Sequence, residues 1–180
     1  MKQYLKLILV ILFPYFVVFA LLFVFGISFM GEFMLTYIIE SGVDVGIFLL
    51  ATLFFLHFMA LICSIVTFIT SIVKKRDGRE LLRLSMVIKL LQIPAYLFMF
   101  FAGLALFITI FTIPISFALF IFCCMTIFLT GLIGLGGIIR SFKENNLSIT
   151  ESVVYGFLQF IFCIDVISSI ILYKKVKKRN

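Results

Sequence analysis

The stretch LQFIFCIDVISSIILY, residues 158–173, decides the fold, because it places Gln159 and Asp165 inside a run otherwise apolar enough for lipid. An ionisable carboxyl group in the hydrocarbon core costs roughly 2.5–3.5 kcal/mol on insertion scales, so it normally faces a partner or a water-filled cavity. We therefore expect the last helix to turn a polar face toward the interior of a bundle, with the other helices forming the wall around it.

The composition of the whole chain is that of a membrane protein. Its 180 residues are 64% hydrophobic and 13% charged, whereas soluble domains average about 45–50% and about 25%. The net charge is +7, and the basic residues flank apolar runs, which favours anionic lipid headgroups over nucleic acid as their partner. We expect the lipid bilayer as the main partner and no binding of nucleic acid.

Five apolar segments predict an all-α polytopic transmembrane bundle that forms one integral membrane domain, residues 1–180. The expected helices cover about 5–30, 45–73, 79–111, 115–139 and 149–173. The first four are long enough to span a bilayer, and the topology of the last is less certain. Asp77 with Glu80, and Ser148 with Glu151, have the spacing of residues that cap the start of a helix.

Small residues recur on two of these helices at helical spacing. The second helix carries a stripe of Ala60, Ser64, Thr67 and Ser71, and the fourth carries Thr126, Thr130 and Gly134 with Gly131, Gly136 and Gly137 alongside. Small residues let helix backbones approach closely in a membrane. Close packing is the favoured interpretation of the glycines, and a pore-lining face is the alternative.

Charge sets the expected orientation and also produces a conflict. With a cytoplasmic N-terminus, the basic groups that face the cytoplasm are Lys2, Lys6, the segment 74–89, Arg140 and Lys143, while the acidic connection 31–44 lies outside. A multi-pass protein of the cell membrane in this orientation is the prediction. Five spans would nevertheless place the tail 174–179, with five of the fifteen basic residues, outside. A re-entrant last helix, an interfacial last helix and a tail outweighed by the other loops all remain open.

The candidate intramembrane polar site consists of His57, Gln159, Asp165 and Lys89. Counted along helices that both cross, His57 lies about 18 Å from the outer end, Asp165 about 12 Å and Gln159 about 21 Å. These depths allow His57 to contact Asp165 or Gln159. Such a pair could relay protons, but a neutral hydrogen bond that locks two helices is favoured.

Lys89 lies near the inner end of the third helix in this arrangement. We expect its side chain to snorkel toward cytoplasmic headgroups, out of reach of Asp165. If the last helix instead re-enters from the inner side, Lys89 and Asp165 become the natural pair.

The sequence gives little support to an enzyme. It contains no HExxH, GxSxG or phosphate-binding glycine loop, and it has a single histidine. The four cysteines lie inside apolar runs without CxxC spacing, which favours small buried hydrophobic groups. We expect no catalytic residue, no cofactor and no metal.

Three segments carry a resemblance to known proteins: SMVIKLLQIPAY (residues 85–96), TIFLTGLIGLGGIIR (126–140) and LQFIFCIDVISSIILYKK (158–175). Together they resemble a family of small, uncharacterised bacterial integral membrane proteins over roughly the C-terminal 100 residues. The resemblance implies a bacterial cell membrane and transfers no activity or catalytic residue.

The leading functional hypothesis is a non-catalytic accessory, immunity-type or assembly protein that acts through lateral helix contacts. Its partner would be another membrane protein or a second copy of the chain. The alternative is a small transporter or proton-linked carrier that uses His57, Gln159 and Asp165. Transport that depends on Asp165 would separate the two.

Overall fold

The described part of the chain is all-α, as predicted. The computed structural model describes residues 2–29, 45–108 and 110–179. Within these residues there are six α-helices, α1 (Lys2–Phe29), α2 (Val45–Val73), α3 (Gly78–Phe107), α4 (Ile113–Lys143), α5 (Ile149–Leu158) and α6 (Ile164–Arg179), with a short 3₁₀ helix at Ile110–Thr112. The predicted acidic connection 31–44 lies outside the described residues.

Three of the described helices are long and apolar enough to cross a bilayer: α2 over Ile47–Val73, α3 and α4. Their 27, 30 and 31 residues extend about 40–47 Å, compared with about 30 Å for the hydrocarbon core. The chain is therefore a multi-pass membrane protein. Leu7–Phe23 of α1 and all of α5 are shorter apolar helices.

Polar contacts gather the end of α2, the start of α3 and the end of α4 at one end of the bundle. Asp77 caps α3, as predicted. The Glu144 carboxylate accepts hydrogen bonds at 3.1 Å from the backbone N–H of Gly78, and Arg140 donates to the Arg76 carbonyl at 2.7 Å. We call this the basic end, because it also collects Lys74, Lys75, Arg79 and Lys143.

The small-residue stripes serve close packing. Ala60, Ser64, Thr67 and Ser71 of α2 are all buried, as predicted. A Cβ atom added at Gly136 of α4 would lie 2.7 Å from the Ser71 hydroxyl, and one at Gly137 would lie 2.9 Å from Leu82 of α3. The backbones therefore approach too closely for larger residues at these positions. These two glycines face packed side chains rather than a pore.

The predicted single helix over 149–173 is two helices in the structure. α5 begins with the predicted Ser148–Glu151 capping box and ends at Leu158, residues 159–163 form turns, and α6 begins at Ile164. Cys163 has a φ of 64°, in the left-handed region that ends helical geometry. A polar face read from one continuous helix therefore does not apply to this segment, because the turns between Gln159 and Asp165 change the helical register.

The two helices form a hairpin whose ends meet at the basic end. Glu151 near the start of α5 pairs with Lys175 at 2.7 Å and with Arg179 at 3.1 Å near the end of α6. Arg179 also donates to the Asn146 carbonyl at 2.8 Å. We call residues 149–179 the C-terminal hairpin, and residues 159–163 its tip.

The tip lies partway along the bundle. It contacts Lys89, 11 residues into α3, and Gly134, 9 residues before the end of α4, which is about 14–17 Å from the ends of those helices at the basic end. At ten residues, α5 is too short to cross a core of about 30 Å. The re-entrant arrangement removes the charge conflict, because it returns the basic tail to the end that holds Arg140 and Lys143.

Candidate functional site

The centre of the candidate site is the ammonium group of Lys89 on α3, which is completely buried against the hairpin tip. Its Nζ lies 3.3 Å from Asp165 Oδ2 and 2.5 Å from Gln159 Oε1. The carbonyl oxygens of Asp165 and Gln159 lie at 3.4 and 3.5 Å. Four oxygens from two residues of the hairpin therefore surround one positive charge from α3.

This arrangement explains how the break between α5 and α6 is tolerated inside the membrane. Gln159 is the C-cap of α5, where the final carbonyls lack intrahelical partners and carry a partial negative charge. The Lys89 ammonium group compensates that charge and the Asp165 carboxylate together. Irregular backbone at membrane depth requires such internal compensation, because lipid supplies no hydrogen bonds.

Serine hydroxyls on α6 complete the polar cluster around Asp165. Ser169 Oγ lies 2.7 Å from the Asp165 carbonyl and 3.2 Å from Gln159 Oε1, and Ser168 donates to the same carbonyl at 3.1 Å. Gln159 Nε2, Asp165 Oδ2 and Ser85 Oγ are buried without a hydrogen-bond partner among the described residues. The Lys89–Asp165 contact thus has the geometry of an ion pair rather than of a linear hydrogen bond.

A second group of polar contacts continues along α3. Gln92 Nε2 donates to the Val10 carbonyl of α1 at 2.7 Å, and the Tyr96 hydroxyl donates to Gln92 Oε1 at 3.2 Å. Ser85, Lys89, Gln92 and Tyr96 are spaced at i, i+4, i+7 and i+11, which places them on one helical face. Gln92 and Tyr96 were not among the site residues predicted from the sequence, although this spacing was the signal that could have found them.

Two glycines of α4 form the seat for the hairpin tip. A Cβ atom added at Gly134 would overlap Gln159 Oε1, and one added at Gly131 would lie 2.6 Å from the Phe160 ring. Gly131 and Gly134 are one turn apart, so they face the same side of α4. The seat therefore fixes the position of Gln159 relative to Lys89.

An apolar groove of about 680 Å³ lies on the far side of the tip from the basic end. Residues 99–107 of α3, 116–128 of α4 and 160–162 of the tip line it. We call it the tip groove. It occupies the depth that a spanning last helix would fill, so it is a direct result of the hairpin ending halfway.

Comparison with known proteins identifies the family. Residues 1–178 match a family of unknown function, DUF6652. The chain belongs to this family. The match covers nearly the whole DUF6652 chain, whereas the resemblance seen in the sequence covered only its C-terminal part. No curated protein and no solved structure matches it.

The structure separates His57 of this DUF6652 chain from the other predicted site residues. The His57 ring packs against Phe13 of α1, with ring centroids 5.2 Å apart. Its Nδ1 is buried and has no hydrogen-bond partner in the described part of the chain. The predicted hydrogen bond from His57 to Asp165 or Gln159 is therefore wrong, because the re-entrant hairpin presents both residues to α3.

The second prediction that the structure contradicts concerns the Lys89 side chain. The expected snorkelling to headgroups is wrong, since the side chain is completely buried and paired with Asp165. The pairing is the one that the sequence favoured for a re-entrant last helix. Lys89, Gln159 and Asp165 thus form one cluster, which we call the Lys89 centre, and His57 lies outside it.

Chemically, the Lys89 centre can hold the hairpin in place. Among the residues that the structure describes, no three His, Cys, Asp or Glu side chains come together in a way that could hold a metal ion. One positive and one negative group compensate each other inside the centre. The Lys89 ammonium group contacts oxygens of Gln159 and Asp165, the other two residues of the centre. These contacts join the hairpin to α3, which is a structural role.

Proposed function

We propose that this protein is a non-catalytic accessory, immunity-type or assembly protein of the cell membrane that acts through lateral helix contacts. The observation that supports this most is the closed Lys89 centre. Its charges are completely buried, and they are used to fix the C-terminal hairpin to α3. The polar groups at this depth therefore have an architectural explanation that requires no substrate.

The lateral surface of α2 and α3 that remains for recognition is apolar. Phe48, Phe55 and Phe58 on α2, and Phe101 and Phe107 on α3, are each more than half exposed. Lipid tails are as apolar as these side chains, so association in the bilayer depends on shape and van der Waals packing. This favours a partner that is itself a membrane protein, or a second copy of the chain.

We further propose that the basic end faces the cytoplasm. Short loops rich in Lys and Arg favour that side of the membrane. The connection 74–79, Arg140 with Lys143, and the tail 174–179 all support the same orientation, because the hairpin brings the tail back to the basic end. The N-terminus of a spanning α1 would then be cytoplasmic as well.

A charge-free double variant tests the proposal. Asp165→Asn alone would leave Lys89 buried without its counter-ion, so loss of function could reflect unfolding. The Lys89→Met/Asp165→Asn variant removes both charges together. An accessory protein should keep its assembly state in native membranes, measured by blue native electrophoresis and subunit counting. Loss of assembly in a double variant that remains folded would overturn the proposal.

A carrier is the second candidate, and the broken helix is the observation that favours it. Discontinuous helices with charged groups at mid-membrane depth form the ion sites of many secondary transporters. Among the described residues, Gln159 Nε2 has no hydrogen-bond partner there, and Asp165 Oδ2 has its ion pair with Lys89 but no hydrogen bond. In this version Lys89 takes the role that the sequence assigned to His57. Proton flux into liposomes that persists unchanged in Asp165→Asn would exclude the carrier.

A further inference from the structure

We propose that the tip groove binds one acyl chain of a membrane lipid, from the leaflet opposite the basic end. The groove has a buried floor and an exposed rim. Met99, Leu119 and Ile127 on the floor are each at most 5% exposed, whereas Leu104, Phe107 and Phe120 on the rim are more than half exposed. The opening therefore faces the lipid that surrounds the bundle.

The lining selects a hydrocarbon occupant. Among the described residues that line it there is no charged side chain, and apart from two cysteines the only polar side chain is that of Ser116. The Ser116 hydroxyl donates to the Gly103 carbonyl at 2.8 Å, so its hydrogen atom is already used within the protein. A polar ligand would lose its hydration in this groove and gain no compensating charge or donor.

The inner end of the groove is closed by aromatic side chains of the tip. Phe162 stacks on Phe100 of α3 with ring centroids 6.2 Å apart, and Phe160 packs against Phe128 of α4 at 6.0 Å. Both contacts lie at the depth where the hairpin turns. An occupant that enters from the opposite membrane surface therefore stops near the middle of the bilayer.

The length of the groove matches a single leaflet. Its lining covers eight residue steps of α3 and twelve of α4, which correspond to about 12–18 Å along a helix. Half of the hydrocarbon core is about 15 Å. An acyl chain that runs from the membrane surface to the midplane has this length.

A helix from a partner protein fits the groove less well. A transmembrane helix is about 10 Å wide with its side chains and continues through the whole bilayer. To lie in the groove it would have to continue past the tip, where Phe160 and Phe162 close the path. The closed inner end therefore favours the thinner acyl chain.

The chain lacks tryptophan, so one introduced tryptophan gives a clean optical test. Phe128→Trp places the reporter in the groove, and Phe58→Trp on α2 is the matched control outside it, since the two phenylalanines are 48% and 57% exposed. Each variant is purified in detergent micelles and titrated with phosphatidylcholine that carries a dibrominated acyl chain, which quenches nearby tryptophan.

We expect quenching of Phe128→Trp to be half-maximal near one lipid per protein. Phe58→Trp should need at least tenfold more lipid for half-maximal quenching, because its quenching should follow the bulk composition of the micelle. Filling the groove with Cys124→Phe in the Phe128→Trp background should move its curve to that of the control. Superimposable curves for the two reporters, or a Phe128→Trp curve that Cys124→Phe leaves unchanged, would overturn the proposal. Absence of Phe128→Trp quenching in a protein that light scattering shows to be a dimer would also overturn the proposal, because a second copy would then cover the groove.

Discussion

Lys89 and Asp165 are 76 residues apart in the sequence, yet the ammonium nitrogen of the first lies 3.3 Å from a carboxylate oxygen of the second. This pair joins the C-terminal hairpin to α3 at a depth where water is scarce. Breaking one member of a buried pair is far more costly than replacing both, because a single change leaves an uncompensated charge. The pair is therefore the point at which the hairpin is most easily tested.

We expect Lys89→Met and Asp165→Asn each to lower the free energy of unfolding by about 3–5 kcal/mol. The double variant should recover most of this loss, since no charge is left buried. Unfolding in detergent, followed by circular dichroism, measures the coupling as a double-mutant cycle. Lys178→Met, in the exposed part of the tail, is the control and should change stability by less than about 0.5 kcal/mol. Additive losses in the cycle would contradict the pairing.

The glycine seat predicts opposite effects for two chemically identical changes. Gly134→Ala should destabilise the protein, because the new methyl group overlaps Gln159 Oε1. Gly103→Ala should be neutral or stabilising, because its Cβ would meet only Ser116 Oγ at 3.7 Å and alanine favours a helix over glycine by roughly 0.5–1 kcal/mol. Thermal unfolding of both variants in the same detergent gives the comparison. An equal rise in melting temperature would show that the tip does not sit on Gly134.

The re-entrant hairpin predicts that the tail and the α2–α3 connection lie on one side of the membrane. In a background without native cysteines, Lys75→Cys and Lys177→Cys should react with a membrane-impermeant maleimide from the same side of oriented vesicles. A spanning last helix would place Lys177 on the opposite side. Labelling from opposite sides would therefore restore the five-span arrangement and remove the tip groove.

The base of the hairpin predicts a loss of stability in acid. The Lys175 side chain, the Ser148 backbone N–H and Arg179 together lower the pKa of Glu151 from 4.5 to about 2. Because the folded-state pKa is the lower one, this contribution is fully present above pH 4.5 and is lost as the pH falls toward 2.

A pH series of melting temperatures checks this. The difference between wild type and Glu151→Gln should be constant from pH 7 to about pH 5 and should shrink below pH 4.5. Added salt should reduce it, because these groups are partly exposed to solvent. Glu80→Gln, at an exposed acid of α3, is the matched control. A difference that grows in acid would contradict the assigned contacts.

The sequence was sufficient for the helical class and for most helix positions. Hydrophobic segments of membrane length and the capping residues Asp77 and Ser148 are local signals, and each is read within a few turns of chain. The stripe of small residues on α2 was likewise found from spacing alone. These features depend on neighbours three or four residues away, so a single sequence reveals them.

The break after Leu158 was missed because no proline or glycine lies within residues 157–163. The segment QFIFC, residues 159–163, reads as apolar helix, and it turns because Lys89, 70 residues earlier, compensates the freed carbonyls. Such long-range compensation leaves no local pattern. The basic tail was the one indication, since it conflicted with five spans. The partner of Asp165 followed from the same topology, so His57 was assigned to a site from which the fold excludes it.

The C-terminal hairpin ends partway along the bundle, so the described residues form two unequal ends. In that part of the chain α5 and α6 add to the cross-section at the basic end and do not extend to the opposite end. A wedge of this shape is accommodated most easily where the bilayer bends so that its broad end lies on the outside of the curve. Its distribution between flat and curved regions of one membrane would then depend on its shape, independently of any partner.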